Sequence, residues 1–173
     1  PLEYRLKFRI WVQPYDDTYH KIVDRVTWGL ASPVEYDVPE CNSSQESCSL
    51  EGDTWVHKIT GTFDGQGALV AAHFHCHAPT CLSIALYRCP TDTLVCNETN
   101  GDLLCREEPV YGGSGASPDR FDEPGFIFQP PCLWGSADFG LEEPPSVDGF
   151  VLGAVKKANA THAHHGEMAW LQM

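Results

Sequence analysis

Six of the eight histidines in this chain fall in two short clusters, and neutral imidazole is the commonest metal ligand among protein side chains. The first cluster reads HFHCH and places histidines at the alternate positions His73, His75 and His77. Alternate side chains of a β-strand point to one face, so two of these imidazoles can reach a single metal ion. We expect an H-x-H metal site at His75 and His77, with His73 as an additional or alternative ligand.

The second cluster reads HAHHGEM and contains His164 and Met168. Met168 would add a neutral thioether to two imidazoles, a soft ligand set that suits Cu(I). His164 would instead complete three imidazoles, which suit a zinc ion with an open coordination position. Glu167 would face the side of its strand opposite to Met168, so we do not assign it as a general base. Copper and zinc both remain open at this point.

The sequence does not support nucleophilic or paired-carboxylate catalysis. Ser114 lies in the glycine loop GGSG and lacks the strand–turn–helix context of a nucleophilic serine. The acidic pairs at 16–17 and 142–143 are typical of solvated loops. A glycosidase would need two carboxylates at a defined separation, and nothing in the sequence points to such a pair.

The chain has eight cysteines and no C-x-x-C pair, which favours a disulfide framework over structural zinc. The short spacings predict four local disulfides: Cys41–Cys48, Cys76–Cys81, Cys89–Cys96 and Cys105–Cys132. Asn42, Asn97 and Asn159 each begin an N-x-S/T sequon, the acceptor for N-glycosylation. Cysteines and sequons together predict a secreted, extracellular glycoprotein.

The net charge limits the possible partners. Asp and Glu number 24 against 11 Lys and Arg, which gives a formal charge of −13. Nucleic-acid binding needs clustered Lys and Arg, so we expect no nucleic-acid partner. No apolar run approaches the roughly 20 residues of a spanning helix, so we expect no membrane insertion.

Short runs with a period of two, separated by Gly and Pro, predict an all-β sandwich or barrel. The run YRLKFRIWV at 4–12 is predicted as a half-buried strand, and 68–77 as the hairpin partner of a strand at 55–63. Further strands are predicted at 34–38, 82–87, 125–129, 149–155 and from Gly166 onward. We expect a single domain over residues 1–173, which can be a module of a longer chain.

Several segments, in their order and spacing, resemble the stress-up-regulated nodulin family. They are VEYDVPEC with a second cysteine at Cys48, GALVAAHFHCHAPTCLSIALY, CREEPVYG, DEPGFIFQPPC and THAHHGEMAWLQM. The resemblance covers the chain from about Leu6 to its end. That family is similar to the carboxy-terminal domain of the copper type II, ascorbate-dependent monooxygenases.

The resemblance implies a jelly-roll-like antiparallel β-sandwich that binds copper through H-x-H and a late methionine. In this sequence these ligands fall on His75, His77 and Met168, and His164 matches a histidine that precedes the methionine. Those monooxygenases also use a second copper domain, which this chain does not match. Hydroxylase activity is therefore not implied by this chain alone; an enzyme containing it would be a copper-dependent, monooxygenase-like oxidoreductase.

Three functions follow as expectations. The first is a secreted copper-binding domain, with a second copper domain as a partner. The second is a glycosylated, disulfide-rich structural or interaction module that contacts other chains of an extracellular assembly. The third is a zinc site with three histidines.

Overall fold

The computed structural model describes residues 3, 8, 10–18, 20–31, 34–113, 115 and 123–173. In chain order the strands are β1 (Thr27–Gly29), β2 (Glu35–Val38), β3 (Cys48–Glu51), β4 (Thr54–Asp64), β5 (Ala71–His75), β6 (Cys81–Pro90), β7 (Asp102–Glu107), β8 (Val110–Tyr111), β9 (Ile127–Phe128), β10 (Cys132–Leu133), β11 (Phe150–Asn159), β12 (His164–Met168) and β13 (Trp170–Gln172). A 3-10 turn spans Ala137–Phe139, between β10 and β11. None of the helices in these ranges is long and apolar enough to cross a membrane.

The larger sheet has five antiparallel strands in the order β3-β4-β11-β6-β7. Its three central strands are the longest in the described ranges and pair over most of their length. On the inner face, Leu86 of β6 lies opposite Ala154 of β11, and Ile84 and Leu152 of the same two strands are also buried there. These side chains form one wall of the core.

The second sheet has four antiparallel strands in the order β1-β13-β5-β10. Ala72 and Phe74 of β5 and Leu171 of β13 are fully buried, and they pack against the inner face of the five-stranded sheet. Burial of these apolar side chains between two sheets makes the fold an antiparallel β-sandwich, as predicted. The sheets also meet at Trp28, whose ring covers Gly61. A Cβ at Gly61 would lie 2.4 Å from that ring.

Two short strand pairs complete the described fold. Strand β12 pairs with β2, and β8 pairs with β9. The β2–β12 pair covers the end of the sandwich where Val38 and Tyr36 pack on Ala158 and Ala160. This pair carries the second histidine cluster, so the fold brings that cluster towards β5.

The protein contains the four disulfides that the short spacings predict, and it has no free cysteine. Cys76–Cys81 spans the turn between β5 and β6, and Cys105–Cys132 joins β7 to β10. Both of these bridges therefore connect one sheet to the other. They brace the sandwich on either side of β5.

Two local predictions are wrong. Of the predicted strand at 4–12, residues 4–7 and 9 lie outside the described ranges, while Phe8 and residues 10–12 form no strand and are exposed. Their alternation is strand-like, but a strand also needs a place in a sheet, and these described residues belong to none. The predicted hairpin of 55–63 with 68–77 is also absent, because β5 pairs with β13 and β10 in the other sheet. The turn at 64–67 leads across the sandwich instead of back along β4.

Candidate metal centre

Strand β5 displays the first histidine cluster on the outer face of its sheet. Ala72 and Phe74 point into the core, and the alternate residues His73 and His75 are exposed. In the antiparallel ladder with β13, Trp170 lies opposite His75. The period of two in the sequence therefore places His73 and His75 as predicted, and His77 lies two residues beyond the end of the strand.

His77 is held by the strand that carries the second cluster. Its backbone N–H donates to Glu167 Oε1 at 2.8 Å, and its ring Nδ1 lies 2.5 Å from the carbonyl oxygen of Gly166. A carbonyl oxygen only accepts hydrogen bonds, so the neutral ring carries its proton on Nδ1 and leaves Nε2 free as a ligand. The rings of His75 and His77 are nearly perpendicular, with centroids 5.3 Å apart.

Met168 lies on the partly exposed side of its own segment. From Glu167 to Gln172, fully buried residues alternate with partly exposed ones, and Met168 and Trp170 belong to the partly exposed set. Trp170 is opposite His75, and Met168 lies two residues before Trp170 on the same side of the alternation. Met168 therefore faces outward from the segment that precedes β13.

His164 is separated from Met168 by a β-bulge. The pairing of β12 with β2 shifts between His164 and Glu167, where Gly166 adopts a left-handed φ of 73°. Because of the extra residue, His164 and Glu167 both point inward, and the His164 Nε2 lies 3.6 Å from Glu167 Oε2. A regular strand would have put His164 on the same side as Met168, whereas the bulge turns its ring towards Glu167.

The local electrostatics favour neutral imidazoles. Burial lowers the pKa of His75, and the nearby His77 and His73 lower it further because a second positive charge there would be repelled. Burial also lowers the pKa of His73. Neutral imidazole is the form that binds a metal, so these shifts favour the ligating form of His73 and His75.

The side chains around His75 and His77 determine which metal ions could bind there. In the parts of the chain that the structure describes, no three His, Cys, Asp or Glu side chains converge as a group able to hold a metal ion. Met168, on the neighbouring segment, carries a thioether, which is not one of those four ligand types. Two imidazoles and a thioether suit Cu(I) and are poor ligands for hard cations.

His73 has a different partner from the other two histidines. Its Nδ1 lies 3.3 Å from Glu107 Oε2, and the same carboxylate accepts the N–H of Phe74 at 3.1 Å. Glu107 is completely buried, and this burial raises its pKa to about 8 although the Phe74 N–H opposes the shift. A carboxyl group behind an imidazole fixes the ring orientation, as it does for many metal-bound histidines.

A groove of about 800 Å³ opens beside the histidines. His73, His75 and His77 line one side, and Ile127, Phe128 and Gln129 line another. Met168 is not among its lining residues, so the groove lies on the side of β5 away from β13. A small molecule in the groove would contact the imidazoles and an apolar wall.

The buried charges around the site were missed by sequence reasoning. Lys156 and Glu167 are both completely buried, and the Lys156 Nζ lies 2.8 Å from Glu167 Oε1. The sequence does indicate that Lys156 is buried, because it follows the inward-facing Leu152 and Ala154 at every second position and so shares their face of the strand. Glu167 was correctly placed on the face opposite to Met168, but its buried ionic partner was not foreseen.

The three sequons share one local geometry. The side-chain oxygens of Asn42, Asn97 and Asn159 each accept the N–H of the residue two positions later, at 2.9–3.0 Å. This is the Asx-turn arrangement that these residues favour at chain reversals. All three asparagines are at least partly exposed.

The chain was also compared with known proteins. No family model, curated protein or solved structure matches it.

Proposed function

We propose that this protein is a copper-binding β-sandwich domain that holds Cu(I) through His75, His77 and Met168. The observation that supports the proposal most directly is the pairing of β5 with β13, in which the exposed His75 lies opposite Trp170, two residues from the partly exposed Met168. The Gly166 carbonyl leaves the Nε2 of His77 available to a metal. A bound copper ion would supply one-electron redox chemistry to this face.

The chain's own residues would control what reaches the ion. The groove beside His75 and His77 gives small molecules access from one side, and the buried Phe74 closes the other side of the strand. Phe128 and Ile127 make the groove wall apolar. Oxidoreductase activity would require an electron donor or a second copper domain, as in the monooxygenases that the sequence resembles.

The metal content of the purified protein and its Cu(I) affinity test this proposal. We expect one copper per chain by elemental analysis. Met168→Leu should lower Cu(I) affinity about tenfold or more, measured by competition with a chromophoric Cu(I) chelator. Met173→Leu is the matched control, because Met173 packs against the core and not on the ligand face.

Other results would point to the alternatives. Zinc bound at one ion per chain and unaffected by Met168→Leu would favour a three-histidine zinc site. Absence of bound metal, even after Cu(I) is added to the folded protein, would overturn the proposal and favour a structural module.

A structural or interaction module is the second candidate, and one observation favours it. Phe8, Ile10 and Val12 are 79 %, 82 % and 88 % exposed, which is unusual for a run of apolar side chains. In an extracellular assembly this segment would contact other chains. Light scattering across a concentration series, with and without the Ile10→Asp substitution, would detect such association.

We also propose that the protein is secreted and glycosylated. The four disulfides are typical of oxidising compartments, and each sequon asparagine lies in a partly exposed turn. Enzymatic removal of N-glycans should lower the mass of protein from a eukaryotic secretion host. Asn→Gln at each of the three positions should remove one glycan.

A further inference from the structure

Glu167 connects two of the proposed ligands through their backbones. It is only 1 % exposed, although carboxylates are rarely buried. Its Oε1 accepts the N–H of His77 at 2.8 Å and the N–H of Met168 at 3.0 Å. One oxygen atom therefore joins the turn after β5 to the strand that carries the thioether.

The same carboxylate is held by donors from other elements. Lys156 reaches it from β11 in the five-stranded sheet, with Nζ 2.8 Å from Oε1. The Thr80 hydroxyl, from the turn before β6, donates to Oε2 at 2.5 Å. Because the partners come from separate elements and the ion pair is buried, the position of Glu167 is strongly constrained.

We propose that Glu167 is a positioning residue that fixes His77 relative to Met168, with Lys156 as its counter-ion. The effect of Glu167 on copper binding rests on the proposed function, because His77 and Met168 are two of the ligands in the proposed copper site. Without the hydrogen bonds to Glu167, the Met168 thioether and the His77 imidazole would lose their conformational freedom only when the metal binds. Loss of preorganisation weakens binding even though every ligand is still present.

The test uses paired substitutions, because Glu167→Leu alone would leave the Lys156 ammonium buried without a partner and can prevent folding. The amide double variant, Lys156→Met with Glu167→Gln, keeps an acceptor oxygen for the two backbone N–H groups. The apolar double variant, Lys156→Met with Glu167→Leu, removes that oxygen and replaces the ion pair with apolar side chains. Lys157→Met with Glu51→Leu removes an ion pair that is partly exposed and serves as the surface control.

Amide hydrogen exchange in the metal-free protein is the first readout. In the apolar double variant we expect the amides of His77 and Met168 to exchange at least about tenfold faster than in the parent protein. The amide double variant and the surface control should retain protection at both amides. Unchanged protection in the apolar double variant would overturn the positioning role whether or not copper binds.

Cu(I) affinity and X-ray absorption at the copper edge are the second readout. Only the apolar double variant should lose about tenfold or more in affinity and lose the sulfur ligand. If the apolar double variant shows fast amide exchange but unchanged Cu(I) affinity, Glu167 anchors the two segments without contributing to copper binding. If the parent protein binds no Cu(I), the proposed function fails, and amide exchange still decides whether Glu167 anchors the two segments.

Discussion

Lys156 of β11 and Glu167 of β12 form an ion pair between the five-stranded sheet and the β2–β12 pair, with both side chains 0 % exposed. Burial lowers the pKa of Lys156 to about 8, and the adjacent carboxylate opposes that shift. Burial alone would raise the pKa of Glu167, but hydrogen bonds from Lys156 and Thr80 outweigh it and keep the pKa below its usual value. Both groups are therefore charged at neutral pH.

Removing one member of this pair should be costly. We expect Lys156→Met to lower the free energy of unfolding by about 3–5 kcal/mol, because it leaves an uncompensated buried carboxylate. The Lys156→Met, Glu167→Leu double variant should be destabilised by clearly less than the sum of the single variants. Urea unfolding of the double variant and both single variants measures this coupling. Additive effects would show that the pair does not act as a unit.

Glu107 should make stability depend on pH. Burial raises its folded-state pKa from 4.5 to about 8, so the folded protein keeps a proton that the unfolded chain releases. Its contribution to stability is full below the unfolded pKa and is lost as the pH rises through the folded pKa. Glu107→Gln should therefore stabilise the protein relative to the parent more at about pH 8 than at about pH 5.

Urea unfolding at both pH values tests this prediction for Glu107. The exposed neighbour Glu108, which pairs with Arg106, provides the control as Glu108→Gln. A stability difference between parent and Glu107→Gln that does not change with pH would show that Glu107 keeps an ordinary pKa.

Copper bound at the proposed site should be released as the solution becomes acidic, because protons compete with the metal for the imidazoles. The pKa of His75 is lowered by burial and by its histidine neighbours, so it stays neutral to a lower pH than an ordinary histidine. We expect the midpoint of release below about pH 6.5 and complete release by about pH 4. Equilibrium dialysis with elemental analysis measures the bound fraction. Full retention at about pH 4 would exclude the two-histidine site.

The Cys105–Cys132 bridge should contribute more stability than the other disulfides. It closes 27 residues, whereas Cys89–Cys96 closes 7, and a longer loop loses more entropy in the unfolded chain. Replacing both cysteines of the long bridge with alanine should cost about 2–5 kcal/mol. The matched Cys89→Ala, Cys96→Ala variant should cost less in the same urea titration. An equal cost would contradict the loop-length argument.

The features that could be predicted from the sequence are those set by local patterns. The alternation around His73 and His75 follows from strand geometry, and the structure retains it. The long central strands β4, β6 and β11 were predicted within a few residues, because their apolar runs are bounded by turn residues. The four disulfides join the cysteines expected from short spacings.

The rest depends on which strands pair, and local patterns do not determine pairing. The run at 4–12 alternates like a strand, yet its described residues belong to no sheet. Strand β5 follows a tight turn after β4 but crosses to the other sheet. Glu107 was not predicted to be buried, because its interior position becomes evident only when β7 is placed beside Ile84 of β6.

The bulge in β12 determines which side chains of the second histidine cluster point outward. The left-handed Gly166 keeps His164 inward and leaves Met168 as the outward donor. A β-branched residue at position 166 disfavours that backbone conformation. If the strand then paired regularly with β2, His164 would turn outward beside Met168 and bring a third imidazole. Whether the proposed site prefers a soft metal such as Cu(I) or a borderline metal such as zinc would then depend on the φ torsion of residue 166. The side chains of the proposed ligands would be the same in both cases.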